Sequence, residues 1–419
     1  MTTSVPAIED FDDPAFDPYV ADEAFLGDFP DYFQIIDSWR SQGAVLPGGY
    51  SQAIGVPEQL SATAFSPHFR VISYDAVHTV LTNPELFSNR AFEPVLGEAF
   101  GHNSLSVMDA PRHRKYRRIF QKAFLPNVVG DWGDAYVQPV IDELLGAFPS
   151  AGRFDLVSQF TRLYPFGVIF RMLRLPEQER PVFQKMMLAQ ILFAVEPTRA
   201  REATYKLGQY FSALIDERVA SPGDDLVSAL ATAEFEGERL PQQNVIDFLR
   251  QLFNAGGDTT YRGTSSLLTA ILTTPGLLET IRADRSLIPQ AIEENLRWEP
   301  PVMSVDRLAT QDTELGGVAI PEGSLLNVMI GAANHDPDVF DDPHAFNLHR
   351  TQQARHLAFA HGPHVCLGQH LARIEISRAL NSLLDALPGL RLDEDYPRPQ
   401  IMGSRLRGPR ELRVRFDPA

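Results

Sequence analysis

"FAHGPHVCLGQHLAR" runs from Phe359 to Arg373 and holds Cys366, the only cysteine in 419 residues. A lone thiol cannot close an internal disulfide, and a zinc site draws on several Cys or His ligands. Cys366 is therefore packing, a nucleophile, or a single ligand to something, and packing is the ordinary fate of an isolated cysteine. Its neighbours, Gly362 and Gly368 among them, have to decide.

Outward from that segment, the bulk numbers exclude several classes. At 44% hydrophobic and 22% charged residues, the composition is that of a soluble globular protein. No apolar run approaches the roughly 18 residues a membrane span needs, so no membrane association is expected. The N-terminus lacks the basic region and apolar core of a secretory signal. It is acidic instead, with ten Asp or Glu residues before Arg40, the first basic one. Residues 1–40 are expected to form an arm that packs loosely or stays solvated. Residues 41–419 show no linker, repeat or composition break and are expected to form one large domain. The absence of paired cysteines points to a cytoplasmic protein. A net charge of −17 argues against nucleic acid as a partner. One stretch opposes that charge: "RHRKYRRIFQK" (Arg112–Lys122) carries six Lys or Arg and no acid. It is a solvated helix face, a docking patch for an acidic partner, or a clamp for an anion.

Helical spacing dominates the rest. From Pro241 to Thr274, Val245, Phe248, Leu249, Leu252, Phe253, Leu267, Leu268 and Ile271 recur at helical intervals. Pro241 suits the start and Pro275-Gly276 the end. Further helices are expected at Asp134–Ala147, Glu177–Ala194, Arg199–Arg218, Leu287–Trp298 and Gly368–Leu387. Strand signals are fewer: Phe69–Ser73, a hairpin of Arg307–Asp312 with Val318–Ile320 around Gly316-Gly317, and Glu411–Phe416. The class is mainly α with small β-sheets.

The long helix has an unusual centre, "NAGGDTTY" (Asn254–Tyr261). Gly256 and Gly257 cost roughly 1 kcal/mol each there relative to alanine. Glycine admits close approach of a flat body to the backbone, which would offset that. Thr259 can bond back to a carbonyl and loosen the helix. Asp258 beside Thr259 is either a tolerated irregularity or a proton-delivery pair, the acid relaying protons and the hydroxyl holding an acceptor or a water. Downstream, Glu294 and Arg297 share a helix face, and "NHDPDVFDDPHAFNLHR" ends in Arg350.

Taken in order, these stretches resemble a cytochrome P450 of the bacterial soluble type over nearly the whole chain. The basic helix, the acid–alcohol helix, Glu294-x-x-Arg297, the Asp/Pro-rich segment and the cysteine loop follow the family's sequence of motifs. Phe359, Gly362, His364, Cys366 and Gly368 fit its haem-binding pattern at every fixed position. The resemblance implies a single fold shaped as a triangular prism, with haem b between the long central helix and the helix after the cysteine loop. It makes Cys366 the thiolate ligand of the iron, held as an anion by nearby N–H donors and the start of the following helix. Phe359 then tunes the exposure of the sulfur. His113, Arg117, Arg307 and His364 match the propionate partners, and Glu294, Arg297 and Arg350 match a buried structural charge triad. Asp258 and Thr259 match the oxygen-activation pair. Alanine at Ala110, Ala360-His361 in the loop and Trp298 depart from the family's usual residues without touching a ligand position.

The implied activity is insertion of one atom of O2 into a hydrophobic small molecule: a terpenoid, steroid, fatty acid or aromatic. Electrons come from NAD(P)H through a reductase and an acidic 2Fe-2S ferredoxin, docked on Arg112, Arg114, Lys115, Arg118 and Lys122. A monomer is expected. The pocket is expected to draw on Phe92–Val107, Met186–Val195, Phe253, Val302–Val305 and Ile401–Leu406. Arg90 and Arg405 either meet a substrate carboxylate or pair within the protein. A peroxide-driven haem enzyme and a non-catalytic haem ligand-binding protein are the alternatives. Neither has a use for Asp258 and Thr259 as a proton relay.

Overall fold

The apolar spacing becomes helix almost where it repeats. The computed structural model describes residues 5–58, 63–148, 152–235, 237–351 and 355–417. The helices that place the site are α1 (Pro18–Leu26), α2 (Tyr32–Arg40), α3 (Arg112–Ala123), α4 (Tyr164–Met172), α5 (Arg180–Ala189), α6 (Pro197–Ala220), α7 (Gln242–Thr273), α8 (Ile288–Trp298) and α9 (Gln369–Ala386). With 32 residues, α7 is about 48 Å long and crosses the molecule. Pro241 precedes its first turn, and Pro275 stands beyond its last. It packs against α4, α6, α8 and α9, so its second half is buried nearly all round.

Gly256 and Gly257 serve that packing. A Cβ on Gly257 would lie 2.5 Å from the Phe166 ring, and one on Gly256 would lie 2.8 Å from Ile169. Both neighbours belong to α4. The close approach expected of a flat body is made at Gly257 by this helix crossing, while Gly256 also reaches the cavity described below.

The acidic N-terminal segment is bound more firmly than expected. Val5, Ile8, Phe11 and Phe16 are buried in the main core, and Tyr32, Ile36 and Trp39 of α2 in another cluster with Tyr50 and Met303. Its acids meet bases on α5 and α6: Asp10 lies 3.1 Å from Lys185, and Asp13 lies 2.7 Å from Arg199. Residues 1–4 lie outside the described residues.

A mixed sheet flanks the helices. Its strands are β1 (Val45–Pro47), β2 (His68–Val71), β3 (Phe87–Ser88), β4 (Val305–Ala309) and β7 (Leu325–Val328), in the order β1-β2-β7-β4-β3. The expected hairpin needs correction. Val318–Ile320 (β6) pairs with Thr313–Leu315 (β5), whereas Arg307 sits on β4 opposite Leu326. The run breaks between the two strands, where Thr310 Oγ1 donates to Glu85 O at 2.6 Å and Asp312 Oδ1 accepts from Glu322 N at 2.9 Å.

Candidate active site

The loop before α9 carries Cys366 to the base of a cavity under α7. Gly362 has φ 73°, and a Cβ there would stand 2.6 Å from Leu81 O. It supplies left-handed backbone and lets the loop dock on the helix Tyr74–Thr82. Ala360 is also left-handed, at φ 57°, a conformation costing an L-residue about 1–2 kcal/mol. Ala360→Gly is expected to stabilise the protein by up to about 1 kcal/mol, because greater freedom in the unfolded chain offsets part of the relief. A denaturation midpoint measures it.

Cys366 N donates to Phe359 O at 2.8 Å, which closes the loop. The sulfur is exposed to the cavity and enclosed by protein elsewhere. Burial pushes the thiol up. The N–H groups of Gly368 and Gln369 and the charges of Arg117 and Arg373 pull it down. The Arg373 guanidinium sits 4.5 Å from the Phe359 ring centre and is held by Glu293 at 2.6 Å.

Two adjoining cavities of about 290 and 220 Å³ share Cys366, Phe359, His364, Ala255, Thr259 and Thr260. Four donors converge on the larger one: His113, Arg117, Arg307 and His364. The rings of His113 and His364 stack at 3.8 Å. Asn89 Nδ2 lies 3.1 Å from His364 Nδ1, and Arg117 Nη2 donates to Val365 O at 2.6 Å. Arg307 is buried and bonds the carbonyl of its neighbour Asp306 at 2.8 Å. Neither arginine forms an ion pair among the described residues. Burial, with Arg117 alongside, pushes His113 down to about 4. Burial, with His113, Arg307 and Arg117, pushes His364 down to about 2. Burial brings Arg307 down to about 10. His113 Nε2 and Asn89 Oδ1 are buried without a hydrogen-bond partner among the described residues.

Such a cluster of donors is incomplete without an anion. At Gly368, on the cavity wall, an added Cβ would meet nothing within 4 Å, so the wall is open two residues from the sulfur. The residues fit haem b: Cys366 would supply a sulfur ligand, and Arg117 and Arg307, with the two histidines beside them, would supply donors for two carboxylates.

The acid–alcohol pair divides. Thr259 lines both cavities, and its Oγ1 donates back to Ala255 O at 2.7 Å. Asp258 lines neither. It is buried against Arg262, 3.0 Å away. Arg262 and, on α9, Glu375 belong to this site as well, although neither falls in one of the motifs. Glu375 lines the cavity; burial pushes its carboxyl well above the usual range, with a bond to Thr260 opposing. Its signal was helical spacing: Gly368, Ala372 and Glu375 follow one face from the sulfur onward.

The expected pocket is only partly right. Phe92, Leu105, Ser106, Val302 and Val305 line the cavities, but nothing from Met186–Val195 or Ile401–Leu406 does. Phe253 points away and stacks on Phe183 and Phe211. Phe248, Gln251, Leu252 and Ala255 supply the α7 wall instead. Arg405 pairs with Asp306 at 3.3 Å, and exposed Arg90 lies 3.9 Å from Glu93. On α3, Arg117 turns inward, Arg112 bonds Asn103 at 2.9 Å and Lys115 bonds Glu238 at 2.7 Å. Arg114, Arg118 and Lys122 face outward.

A cavity with a thiol at its base, a hydroxyl-bearing helix above and cationic donors at its side defines a haem-thiolate enzyme. The family model "Cytochrome P450" matches residues 154–388. The cytochrome P450 YjiB of Bacillus subtilis is 36% identical over 394 residues, 91% of this chain and 97% of that protein. The cytochrome P450 monooxygenase PikC of Streptomyces venezuelae is 35% identical over 346 residues, 80% of this chain and 82% of that protein. Among solved structures, CYP109E1 from Bacillus megaterium in complex with testosterone superimposes with a TM-score of 0.81 at 26% identity, covering 92% of this chain and 99% of that one. The chain belongs to the cytochrome P450 family. It is a P450 monooxygenase whose cofactor is haem b. No described helix is long and apolar enough to cross a membrane.

Proposed function

We propose that Cys366 ligates the haem iron, that His113, Arg117, Arg307 and His364 hold the two propionates, and that Thr259 on the opposite wall and Asp258 behind it deliver protons. One observation carries this reading: four crowded donors, neither arginine among them ion-paired among the described residues, face the cavity that holds the only cysteine. Bound haem supplies the activation of O2. The chain's residues do the rest. Phe359, Gly362 and Gly368 shape the loop so that amide N–H groups reach the sulfur. Phe92, Leu105, Phe248 and Leu252 exclude water and bind substrate by apolar contact. The Thr259 hydroxyl leaves Ala255 O to position an acceptor or a water, and the Asp258 carboxyl relays the proton.

The lining supports a hydrophobic small molecule: a terpenoid, steroid, fatty acid or aromatic. Two fold neighbours, one in complex with testosterone and one with hexadec-9Z-enoic acid ligated acyl carrier protein, have ligands from that range. Electrons come from NAD(P)H through a reductase and an acidic 2Fe-2S ferredoxin that docks on exposed Arg114, Arg118 and Lys122. The protein works as a cytoplasmic monomer.

The test compares NADH-driven turnover, with ferredoxin and reductase, against peroxide-driven turnover. Product is expected to require the ferredoxin. In Thr259→Ala, NADH consumption should continue while product per NADH falls to about a tenth or less, the difference appearing as hydrogen peroxide. Unchanged coupling in that variant removes Thr259 from proton delivery. Equal turnover with peroxide alone would make the protein a peroxygenase, and binding without turnover by either route a ligand-binding protein.

A further inference from the structure

Asp258 faces away from the cavity it serves. Its Oδ2 accepts from Arg262 Nε at 3.0 Å, one helical turn further along α7. The same guanidinium donates through Nη2 to Asp22 Oδ2 on α1, at 2.6 Å. Two carboxylates thus share one cation, and all three groups are buried: Asp22 is 4% exposed, Asp258 2% and Arg262 4%. Asp258 Oδ1 is buried with no hydrogen-bond partner among the described residues. Tyr19, Tyr261, Glu23 and Arg162 complete the surroundings. Arg162 pairs with Glu23 and lies over the Tyr19 ring at 4.4 Å. A narrow cleft of about 10 Å³ between α1 and the segments around Gly403 and Arg410 leads to Arg262. That is room for about one water.

We propose that Asp22 is a positioning residue for proton delivery: it keeps Arg262 paired while Asp258 lets go, and the cleft beside α1 admits the proton from solvent. The inference rests on Asp258 being the proton carrier. To serve the cavity, Asp258 must leave Arg262 and turn toward the Thr259 face. A buried guanidinium stripped of its only carboxylate is strongly unfavourable. With Asp22 present it is not stripped, because the shorter of the two bonds remains. Two acids on one cation also leave a net negative charge, which favours uptake of a proton by one of them. Burial raises the Asp22 carboxyl above its ordinary range; Arg262 opposes this, while Asp258 and Glu23 add to it. Above that raised value Asp22 is charged and Arg262 has its second partner. Below it, Asp22 is neutral and Arg262 belongs to Asp258 alone. Turnover is therefore expected to fall on the acid side, at a pH above the ordinary carboxylate range.

The test uses the haem-loaded full chain with NADH, a surrogate ferredoxin and its reductase, and a substrate chosen by its shift of the haem spin state. Asp22→Asn is expected to slow turnover about tenfold, part of the 10²–10⁴ that a general acid supplies. It should also raise the solvent deuterium isotope effect and abolish the acid limb of the pH profile, with substrate binding unchanged. Asp22→Glu should restore the limb. Arg199→Ala loosens the same segment elsewhere, removing the Asp13 pair and the contact with the Phe16 ring, and should leave the isotope effect at the wild-type value. If Asp22→Asn behaves as wild type, or if Arg199→Ala reproduces its isotope effect, the inference is overturned. Asp258→Asn separates the two layers. An unaltered isotope effect there removes Asp258 as carrier. A raised one beside a normal Asp22→Asn removes only the role of Asp22.

Discussion

Cys366→Ser is expected to yield a folded protein whose reduced carbon monoxide spectrum has lost its thiolate signature and whose NADH-driven product formation falls below about a hundredth of wild type, roughly 3 kcal/mol of barrier. The fold survives because the loop is closed by backbone, through Cys366 N to Phe359 O at 2.8 Å and Ala360 N to Leu357 O at 2.8 Å. Serine keeps both bonds and is nearly the same size. What it cannot keep is the anion. Burial already raises the thiol, and the Gly368 and Gln369 amides with Arg117 and Arg373 only partly offset that. A thiol starts near 8.5, within reach of metal-assisted deprotonation. An aliphatic hydroxyl starts far higher, and the same donors are too few to ionise it. The variant is checked by its thermal midpoint, by the carbon monoxide difference spectrum and by product assay. An unchanged spectrum would place the ligand elsewhere.

The legible parts of the site were those whose chemistry is contiguous. The cysteine loop carries its own glycines and helix start within fifteen residues, so the family's motif is legible there without knowledge of the fold. His113 and Arg117, one turn apart on a basic helix, match the family's pair, and both line the cavity. What escaped depends on distance or phase. Arg262 is close to Asp258 in sequence, but Asp22, 240 residues before Arg262, gives it meaning. No local pattern announces such a pair. Phe253 and Leu252 differ by one residue, about 100° of helix rotation. In a helix with apolar residues nearly all round, periodicity does not say which face meets the cavity. Gly257 signals close approach without naming the visitor, and the visitor is Phe166. The N-terminal acids looked solvated because their partners, Lys185, Arg199 and Arg262, come from three distant helices.

Glu294→Gln is expected to destabilise the protein by about 3–5 kcal/mol, the cost of breaking a buried charge set by removing one member. Glu294 and Arg297 are 0% exposed. Arg297 grips the carboxylate with two bonds, Nη2 to Oε1 at 2.8 Å and Nε to Oε2 at 3.0 Å, and Arg350 Nε reaches Oε1 at 3.0 Å. Glutamine matches the shape and removes the charge, leaving two buried guanidinium groups without a carboxylate. Burial already lowers the Arg297 pKa against the pull of Glu294, so the cation is held at a cost that the partner offsets. The loss then spreads. Arg297 also donates to Asn334 O, Pro343 O and Ala345 O, and Arg350 donates to Asp342 O and Ala345 O. These carbonyls belong to the Asp/Pro-rich segment that precedes the cysteine loop, and Asn334 Oδ1 in turn accepts from Leu357 N at 2.7 Å. Freed arginines therefore loosen the approach to Phe359 and Cys366. Asp224→Asn, in a surface pair with Arg174, is the control and should leave the denaturation midpoint unmoved. A Glu294→Gln protein with a wild-type midpoint and full haem retention would show that the two arginines are satisfied by carbonyls alone, and that the carboxylate is dispensable to the fold.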